Sequence, residues 1–259
     1  MKTLLFKYRT IKALAALCAT CLLFCGQAGA APSACPAQYA QGQRPDFLNR
    51  RLAVGAVELC NAAYATEYSE LARAPLWSAE FLTAGRIAQA RGQRRANDFR
   101  EDTRVPSEGR DTLADFRHSG FDRGHMAPAG DMPTPAADSQ SFLLTNMIAQ
   151  NPNLNRELWR AIETGVRAMA MHRDIYVITG PLFEGARIAR LDGRVMIPTS
   201  VYKLVYDPAR NEAAAWIVPN AARQRPDIVS LSELEQRAGI AFLPGVKNVG
   251  MLKLPRPRF

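Results

Sequence analysis

Beyond its first 30 residues, the chain lacks long hydrophobic runs, internal repeats, low-complexity tracts and recognisable linkers. Its one extended apolar run covers residues 13–24. That is about a dozen residues, whereas a membrane-spanning helix needs roughly 20. These absences argue against a transmembrane anchor, and we expect no membrane attachment in the mature protein.

The N-terminal 30 residues have the three parts of an export signal. Basic residues come first, namely Lys2, Lys7, Arg9 and Lys12. The apolar run follows, and the small residues of 28–30 form a cleavage site, so we expect cleavage after Ala30. The mature protein would then be periplasmic or secreted. A lipoprotein modified at Cys25 is the alternative, although Phe24 is bulky where such sites have a small residue.

Cysteine is scarce, and three of the five cysteines (Cys18, Cys21 and Cys25) lie in the export signal. Cys35 and Cys60 remain in the mature chain. Because an exported protein matures in an oxidising compartment, we expect these two to form a disulfide. The bond would close a loop of about 25 residues and contribute about 3 kcal/mol in the chain-entropy model. Two cysteines so far apart make a poor zinc site.

Charge and length set the broad class of the mature protein. The full chain carries a net charge of +9, and loss of the export signal leaves 29 basic and 24 acidic residues, a net charge of +5. A modestly basic exported protein fits a polyanionic partner, but it fits plain solubility equally well. The remaining length predicts a single domain over 31–259, with an irregular lead-in over 31–57.

The hydrophobic patterns predict an α+β domain, because strands outnumber helices and do not alternate with them regularly. We expect strands over 58–68, 75–82, 175–181, 194–206 and 212–218, the third of them ending in a Gly-Pro turn. The clearest helix covers 154–171, and a second helix begins at a Ser-capped segment, 230–235. A basic stretch with Arg91, Arg94, Arg95 and Arg100 is interpreted as a solvated loop.

The segment 121–132 holds the first chemically informative motif, Asp122-Arg123-Gly124-His125. A histidine titrates near neutral pH, so His125 can take a proton from water as a general base. Arg123, two residues earlier, can hold a phosphate through paired hydrogen bonds. A base and an anion clamp in one turn indicate chemistry on an anionic substrate.

A second group of polar residues follows in the predicted helix. Asn155 lies four residues before Trp159 and eight before Glu163, so a helix would bring all three near one face. Each has an ordinary alternative explanation: a helix cap for Asn155, core packing for Trp159 and a solvated charge for Glu163.

Together these segments resemble the DNA/RNA non-specific endonucleases, the ββα-metal group that includes the secreted sugar-nonspecific nucleases and mitochondrial endonuclease G. The similarity extends from about Tyr64 to Pro244. The matching elements, in chain order, are 101–106, the motif 122–125, the helix 154–163, and the strands 177–183 and 197–203. The resemblance implies a mixed, largely antiparallel sheet core with a ββα-metal motif and packed helices.

The resemblance also implies roles for individual residues. His125 would be the general base, and Asn155 would be the protein ligand of one divalent cation, Mg²⁺ or alternatively Mn²⁺. Glu163 would orient the water molecules bound to that cation. Phosphate-binding arginines would be Arg104, Arg123 and Arg167, with Asp122 and Asn146 supporting the site.

These groups address phosphate, metal or water, and none reads a base edge. The resemblance therefore implies an exported, metal-dependent endonuclease whose substrates are both DNA and RNA, with binding that weakens in salt. A non-catalytic polyanion-binding protein on the same fold is one alternative, and a phosphodiesterase for small substrates is another. An inhibitor protein and a homodimer both stay open.

Overall fold

A computed structural model describes residues 33–257 of the chain. The expected export signal, its cleavage after Ala30 and the alternative modification of Cys25 lie outside these residues, so they remain predictions. Within 33–257, no helix is both long enough and apolar enough to cross a membrane.

The strands range in length from two residues to nine. In chain order they are β1 (Asp46–Phe47), β2 (Ala56–Cys60), β3 (Ala65–Ser69), β4 (Ala74–Leu82), β5 (Asp122–His125), β6 (Met147–Gln150), β7 (Ile175–Leu182), β8 (Arg190–Leu191), β9 (Val195–Met196), β10 (Ser200–Asp207), β11 (Glu212–Pro219), β12 (Asp227–Val229), β13 (Ile240–Ala241) and β14 (Gly250–Met251). Eight of them form one sheet in the order β12-β11-β10-β7-β4-β3-β2, with β14 beside β11. Every pair in this sheet is antiparallel except β11–β14.

The helices are short, apart from one interrupted helix in the middle of the chain. They are α1 (Ala84–Ala90), α2 (Leu113–Phe116), α3 (Pro135–Ser141), α4 (Pro152–Leu154), α5 (Arg160–Ala170) and α6 (Leu231–Ala238). A π-helical turn, Asn155–Trp159, joins α4 to α5. Single 3₁₀ turns are at Pro36–Gln38, Ala40–Gly42, Arg50–Ala53, Ala129–Asp131 and Leu144–Asn146.

The central sheet separates two hydrophobic cores, since successive residues of a strand face opposite sides. Val177 faces α5 and belongs to the same core as Ile162. Ile178 faces the other way, toward the N-terminal lead-in and Leu234 of α6. The hairpin β5–β6 contributes Ile148 to the first core, which ties it to the α5 side of the sheet. This arrangement confirms the predicted α+β class with a largely antiparallel core.

The segment 58–68 is not the single strand that its composition predicts. It is a hairpin, in which β2 ends at Cys60 and β3 begins at Ala65. The turn is closed by a hydrogen bond from Asn61 N to Tyr64 O (2.9 Å). Ala62 N also donates to Gln140 Oε1 (2.7 Å). A contact 78 residues away thus helps to hold this turn, and local periodicity does not report such a contact.

The predicted Gly-Pro turn at the end of the third strand is also wrong, because Gly180 and Pro181 lie inside β7. Gly180 lacks the Cβ that would collide with Leu76 O and the Tyr202 ring. Tyr202 OH passes through this space to donate to Leu76 O (3.1 Å). On one side β7 pairs with β4 only as far as Thr179, so the missing N–H of Pro181 leaves no gap in that pairing.

The disulfide Cys35–Cys60 confirms the predicted pairing, with Cα atoms 5.6 Å apart. It joins the lead-in to the last residue of β2. Observed strands also agree with the predictions for 75–82 and 212–218, while 194–206 is divided at Pro198 into β9 and β10. The Ser-capped helix is α6, in which Ser230 accepts a hydrogen bond from Glu233 N (3.2 Å).

Candidate active site

The motif 122–125 forms β5, the first strand of a short hairpin. Gly124 lies opposite Ile148 of the partner strand, and Asp122 lies opposite Gln150. A Cβ atom on Gly124 would lie 2.6 Å from Gln150 Cβ and would overlap the amide of the same side chain. Position 124 therefore requires glycine for steric reasons, because the Gln150 side chain of the partner strand covers it.

His125 ends β5 and is 8% exposed. Its ring lies edge-on to Phe142, with ring centres 4.9 Å apart, and to Phe99, with centres 5.7 Å apart. Nε2 is buried and has no hydrogen-bond partner within 33–257. Burial and the nearby charge of Arg95 lower the pKa of His125 to about 3. The imidazole is consequently neutral at physiological pH, the form that can accept a proton.

Asn146 holds the turn that follows His125. Its Oδ1 accepts hydrogen bonds from Ala127 N (3.0 Å) and Ser78 Oγ (2.8 Å). Its Nδ2 donates to Ala127 O (2.8 Å) and Ser141 O (2.9 Å). All four bonds are buried, so the side chain fixes the backbone beside the histidine, which fits the supporting position expected for it.

The predicted helix begins at Pro152, and its cap is Asn151 rather than Asn155. Asn151 Oδ1 accepts from Asn153 N (3.1 Å) and Leu154 N (3.3 Å). Asn155 is the first residue of the π-helical turn. π-Helical turns occur mostly as single turns within α-helices, and they are frequent at functional sites. The capping explanation for Asn155 is thereby excluded.

Asn155 is bound to the first residue of the motif. Its Nδ2 donates to Asp122 Oδ2 (2.9 Å), and Arg156 binds the same carboxylate through Nε (2.9 Å) and Nη2 (2.7 Å). These bonds lower the pKa of Asp122 against the opposing effect of partial burial. With Nδ2 engaged, Asn155 Oδ1 has no protein partner within 33–257 and is free to bind a cation.

The oxygen donors near this helix fit a hard cation such as Mg²⁺, which keeps several water ligands and needs few protein ligands. Asn155 Oδ1 supplies one neutral oxygen. The described residues contain one convergence of three His, Cys, Asp or Glu ligand atoms, at Cys35, Glu58 and Cys60. Because both cysteines are in the disulfide, that group is no metal site.

Glu163 lies half-buried on α5, two turns after Asn155. Its carboxylate has no hydrogen bond to any residue of 33–257, although burial raises its pKa and Lys203 and Arg167 oppose that rise. Arg167, one turn later, pairs with Asp131 (3.1 Å) and donates to Thr164 Oγ1 (3.1 Å). Glu163 is thus half-buried beside two cationic side chains, while Trp159 is 1% exposed and is a core residue.

Two arginines lie on aromatic rings beside His125. The Arg123 guanidinium is 4.2 Å from the centre of the Phe99 ring. Arg95, on the exposed loop after α1, lies 4.8 Å from the centre of the Phe142 ring. Both rings also contact His125. The basic stretch interpreted as a solvated loop thus brings one arginine to the site, and its composition alone does not say which.

Arg104 does not join this group. Its Nε and Nη2 bind Asp102, and Nη1 donates to Cys60 O (2.8 Å). Nη2 also donates to Asn61 Oδ1 (3.0 Å). With all three guanidinium nitrogens bound to protein, the contacts of Arg104 secure the hairpin near the disulfide and do not support the expected role in phosphate binding.

Comparison with known proteins identifies the family of this chain. The sequence profile for DNA/RNA non-specific endonuclease matches residues 49–249. Nuclease C1 of Cunninghamella echinulata var. echinulata is 36% identical over 222 residues, covering 78% of this chain and 84% of that protein. Mitochondrial endonuclease G of Homo sapiens is 32% identical over 212 residues, covering 74% of this chain and 71% of that protein.

A solved structure shares the fold as well. A chain from the crystal structure of the EndoG/EndoGI complex aligns with a TM-score of 0.67 and 27% identity, over 72% of this chain and 85% of that one. The segment that the family profile matches, residues 49–249, includes the hairpin β5–β6 and the helix that carries Asn155 and Glu163. This chain belongs to the DNA/RNA non-specific endonuclease family.

Proposed function

We propose that this protein is an exported, Mg²⁺-dependent endonuclease that hydrolyses phosphodiester bonds of DNA and RNA. The observation that carries the proposal is the Asn155 amide, whose Nδ2 is held by Asp122 so that Oδ1 is free for a cation. Membership of the nuclease family supports the reaction class. Mn²⁺ would serve in place of Mg²⁺, since both accept oxygen ligands.

The residues of the chain would divide the work as follows. His125, neutral and half-enclosed by two aromatic rings, takes a proton from the attacking water. Asn155 would hold the cation, which when bound stabilises charge on the scissile phosphate and the leaving oxygen. Glu163 holds water through carboxylate oxygens that no protein group occupies. Arg123 and Arg95 bind flanking phosphates, and Asn146 keeps the turn after His125 in place.

The same residues account for low sequence specificity. Contacts to phosphate carry no direct sequence information, and the site residues named above are suited to phosphate, water or cation. We therefore expect cutting of both DNA and RNA, with weaker binding at higher salt.

The decisive experiment is digestion of plasmid DNA and of RNA with Mg²⁺, with and without EDTA. Wild type should cut both substrates, EDTA should stop the cutting, and His125→Ala should lose at least about 100-fold in rate. His172→Ala is the matched control, because His172 is exposed at the end of α5. Full activity of His125→Ala would overturn the general-base role. Turnover of a small phosphodiester without plasmid cutting would favour the small-substrate alternative, and no turnover at all would favour the polyanion-binding one.

Export is supported by the disulfide Cys35–Cys60, since such bonds persist in oxidising compartments. N-terminal sequencing of protein recovered from the periplasm or medium of the producing cells should start after Ala30. Recovery of the full-length chain only from the cytoplasm would contradict export.

A further inference from the structure

A row of buried polar side chains crosses the central sheet beneath the α5 side of the molecule. It consists of Thr66, Ser78, Thr179 and Lys203, which lie directly opposite one another on β3, β4, β7 and β10. Each is at most 1% exposed. Thr66 and Ser78 are hydrogen-bonded (2.9 Å), and Lys203 Nζ donates to Thr179 Oγ1 (2.6 Å). A lysine is almost never so buried without a charged partner, so the row calls for an explanation.

Lys203 lies under the turn of α5 that carries Glu163. Its Nζ is 5.4 Å from the centre of the Trp159 ring, and Trp159 precedes Glu163 by four residues, one helical turn. An ammonium group has three protons to donate, and one of them binds Thr179. The charged form of Lys203 is favoured by the acidic groups of this region, namely Glu163, Glu80 and Asp131, against the effect of burial on its pKa.

Two arginines already contact two of those acidic groups, Glu80 and Asp131. Arg86 Nη2 lies 2.9 Å from Glu80 Oε1, and its other nitrogens donate to the carbonyl oxygens of Phe81 and Asp131. Arg167 Nη1 lies 3.1 Å from Asp131 Oδ1. Each arginine thus has its own carboxylate partner.

Lys203 and Glu163 take part in neither of these two pairs. Among the described residues they form no ion pair within 4.0 Å, and Glu163 accepts no hydrogen bond. A charge that acts through space stabilises a carboxylate without occupying its oxygens. A direct ion pair would instead use the lone pairs that water needs.

We propose that Lys203 is a positioning residue, whose buried ammonium keeps Glu163 ionised while leaving both carboxylate oxygens free for water at the active site. The proposal rests on the role of Glu163 in the proposed function. Lys203 lies on β10, outside the hairpin β5–β6 and outside the helix, on the side of α5 that faces away from solvent.

The surrounding charges agree with this role. Burial raises the pKa of Glu163, and Lys203 is the foremost charge that opposes the rise, ahead of Arg167 on the same helix. Asp131 on the 3₁₀ turn raises this pKa, and Arg95 on its loop lowers it. Glu80 on β4 faces Lys203 and is among the acids that raise the lysine pKa against the effect of burial.

The test is the titration of Glu163 in the folded protein, followed by ¹³C NMR of labelled glutamate carboxyl groups. Glu163→Gln identifies the resonance. In Lys203→Met the pKa of Glu163 should rise by about one pH unit, because loss of a nearby opposite charge disfavours the ionised carboxylate. Thr179→Val is the matched control, since it removes the hydrogen bond of Lys203 but keeps the charge. An unchanged Glu163 titration in Lys203→Met would overturn the proposal.

Activity supplies a second readout. The acid limb of the kcat–pH profile should move to higher pH in Lys203→Met by the same amount, with KM for DNA nearly unchanged. If Lys203→Met does not fold, the double variant Lys203→Met/Glu80→Gln also replaces the buried acid that faces the lost ammonium. The acid limb should still be shifted in the double variant. If the acid limb instead returned to its wild-type position, Lys203 would act on Glu80 and not on Glu163, and the proposal would be wrong.

The two readouts separate this inference from the proposed function. The NMR titration needs no turnover, so Lys203 can be tested even if the wild-type protein cuts neither DNA nor RNA. A shifted Glu163 titration without any nuclease activity would leave the Lys203–Glu163 coupling intact and overturn the proposed function alone.

Discussion

The side-chain amide of Asn155 donates from Nδ2 to Asp122 Oδ2 over 2.9 Å, which joins the interrupted helix to the first residue of the hairpin β5–β6. One hydrogen bond thereby decides which end of the amide is available to a cation. Arg156 binds both oxygens of this carboxylate, so the acceptor is itself fixed. The position of Asn155 in a π-helical turn adds to this, because a wider turn displaces the side chain from ordinary helical spacing.

If Asn155 is the cation ligand as proposed, replacing Asp122 by alanine should weaken metal binding while leaving that ligand in place. Without its acceptor, Asn155 is free to rotate, and loss of such an outer partner typically costs about 10–100-fold in metal affinity or activity. Titration of activity with Mg²⁺ should show a higher half-saturating concentration. Arg156→Gln is the control, because it keeps the Asp122–Asn155 bond. Equal Mg²⁺ requirements in wild type and Asp122→Ala would contradict this orienting role.

The depressed pKa of His125 predicts a specific loss of stability in acid. The unfolded chain binds a proton on this histidine below about pH 6.5, whereas the folded chain does not until about pH 3. The free energy of unfolding should therefore fall as the pH drops through this window, by about 1.4 kcal/mol per pH unit for one proton. His125→Phe, which keeps a ring between Phe99 and Phe142, should lose that part of the slope in urea unfolding from pH 4 to 7. If the free energy of unfolding had the same slope against pH in both proteins, His125 would not be the source of the loss of stability in acid.

The sequence is sufficient to predict the family and the fold class, but not the contacts that hold the site together. Spacing along a helix brings Asn155 and Glu163 to one region, and periodicity locates β4, β11 and α6. By contrast, the hairpin at 61–64 depends on Gln140, and Pro181 stays in β7 because β4 does not pair beside it. Both outcomes depend on residues distant in the chain, and local sequence patterns do not reveal such contacts. The contacts of Arg104 with Cys60 and Asn61, and of Arg95 with Phe142, likewise join residues distant in the chain.

Gly124→Ala should damage the hairpin without straining the backbone. The added Cβ would lie 2.6 Å from Gln150 Cβ, so β5 and β6 must separate or Gln150 must move. We expect a lower melting temperature and lower activity, since His125 is the next residue. The second change Gln150→Ala should recover part of both losses. Gly165→Ala is the control. Gly165 lies inside α5, and an added Cβ would make an ordinary contact with Pro255 at 3.6 Å. Alanine should therefore stabilise the helix by about 1 kcal/mol. A stable, fully active Gly124→Ala protein would show that the hairpin tolerates the Cβ.

Two arginines that composition treats alike are separated by their contacts. Arg104 is bound to Asp102, Asn61 and the Cys60 carbonyl, so its charge is satisfied within the protein. Arg95 is exposed, rests on the Phe142 ring and makes no hydrogen bond or ion pair within 33–257. A satisfied guanidinium contributes to folding, whereas a free one beside His125 can bind phosphate.

Substitution by glutamine should therefore affect different measurements in the two cases. Arg104→Gln should lower the melting temperature and leave the salt dependence of DNA binding near that of wild type. Arg95→Gln should leave the melting temperature unchanged, weaken binding, and reduce the slope of log K against log salt by about one, as expected for one lost phosphate contact. Arg94→Gln, the neighbouring exposed arginine on the same loop, is the control for general loss of charge. Binding is measured in Ca²⁺ or EDTA, so that the DNA stays intact. If Arg104→Gln, and not Arg95→Gln, reduced the salt slope, the phosphate contact would belong to Arg104, and its bonds to Asp102 would have to open when substrate binds.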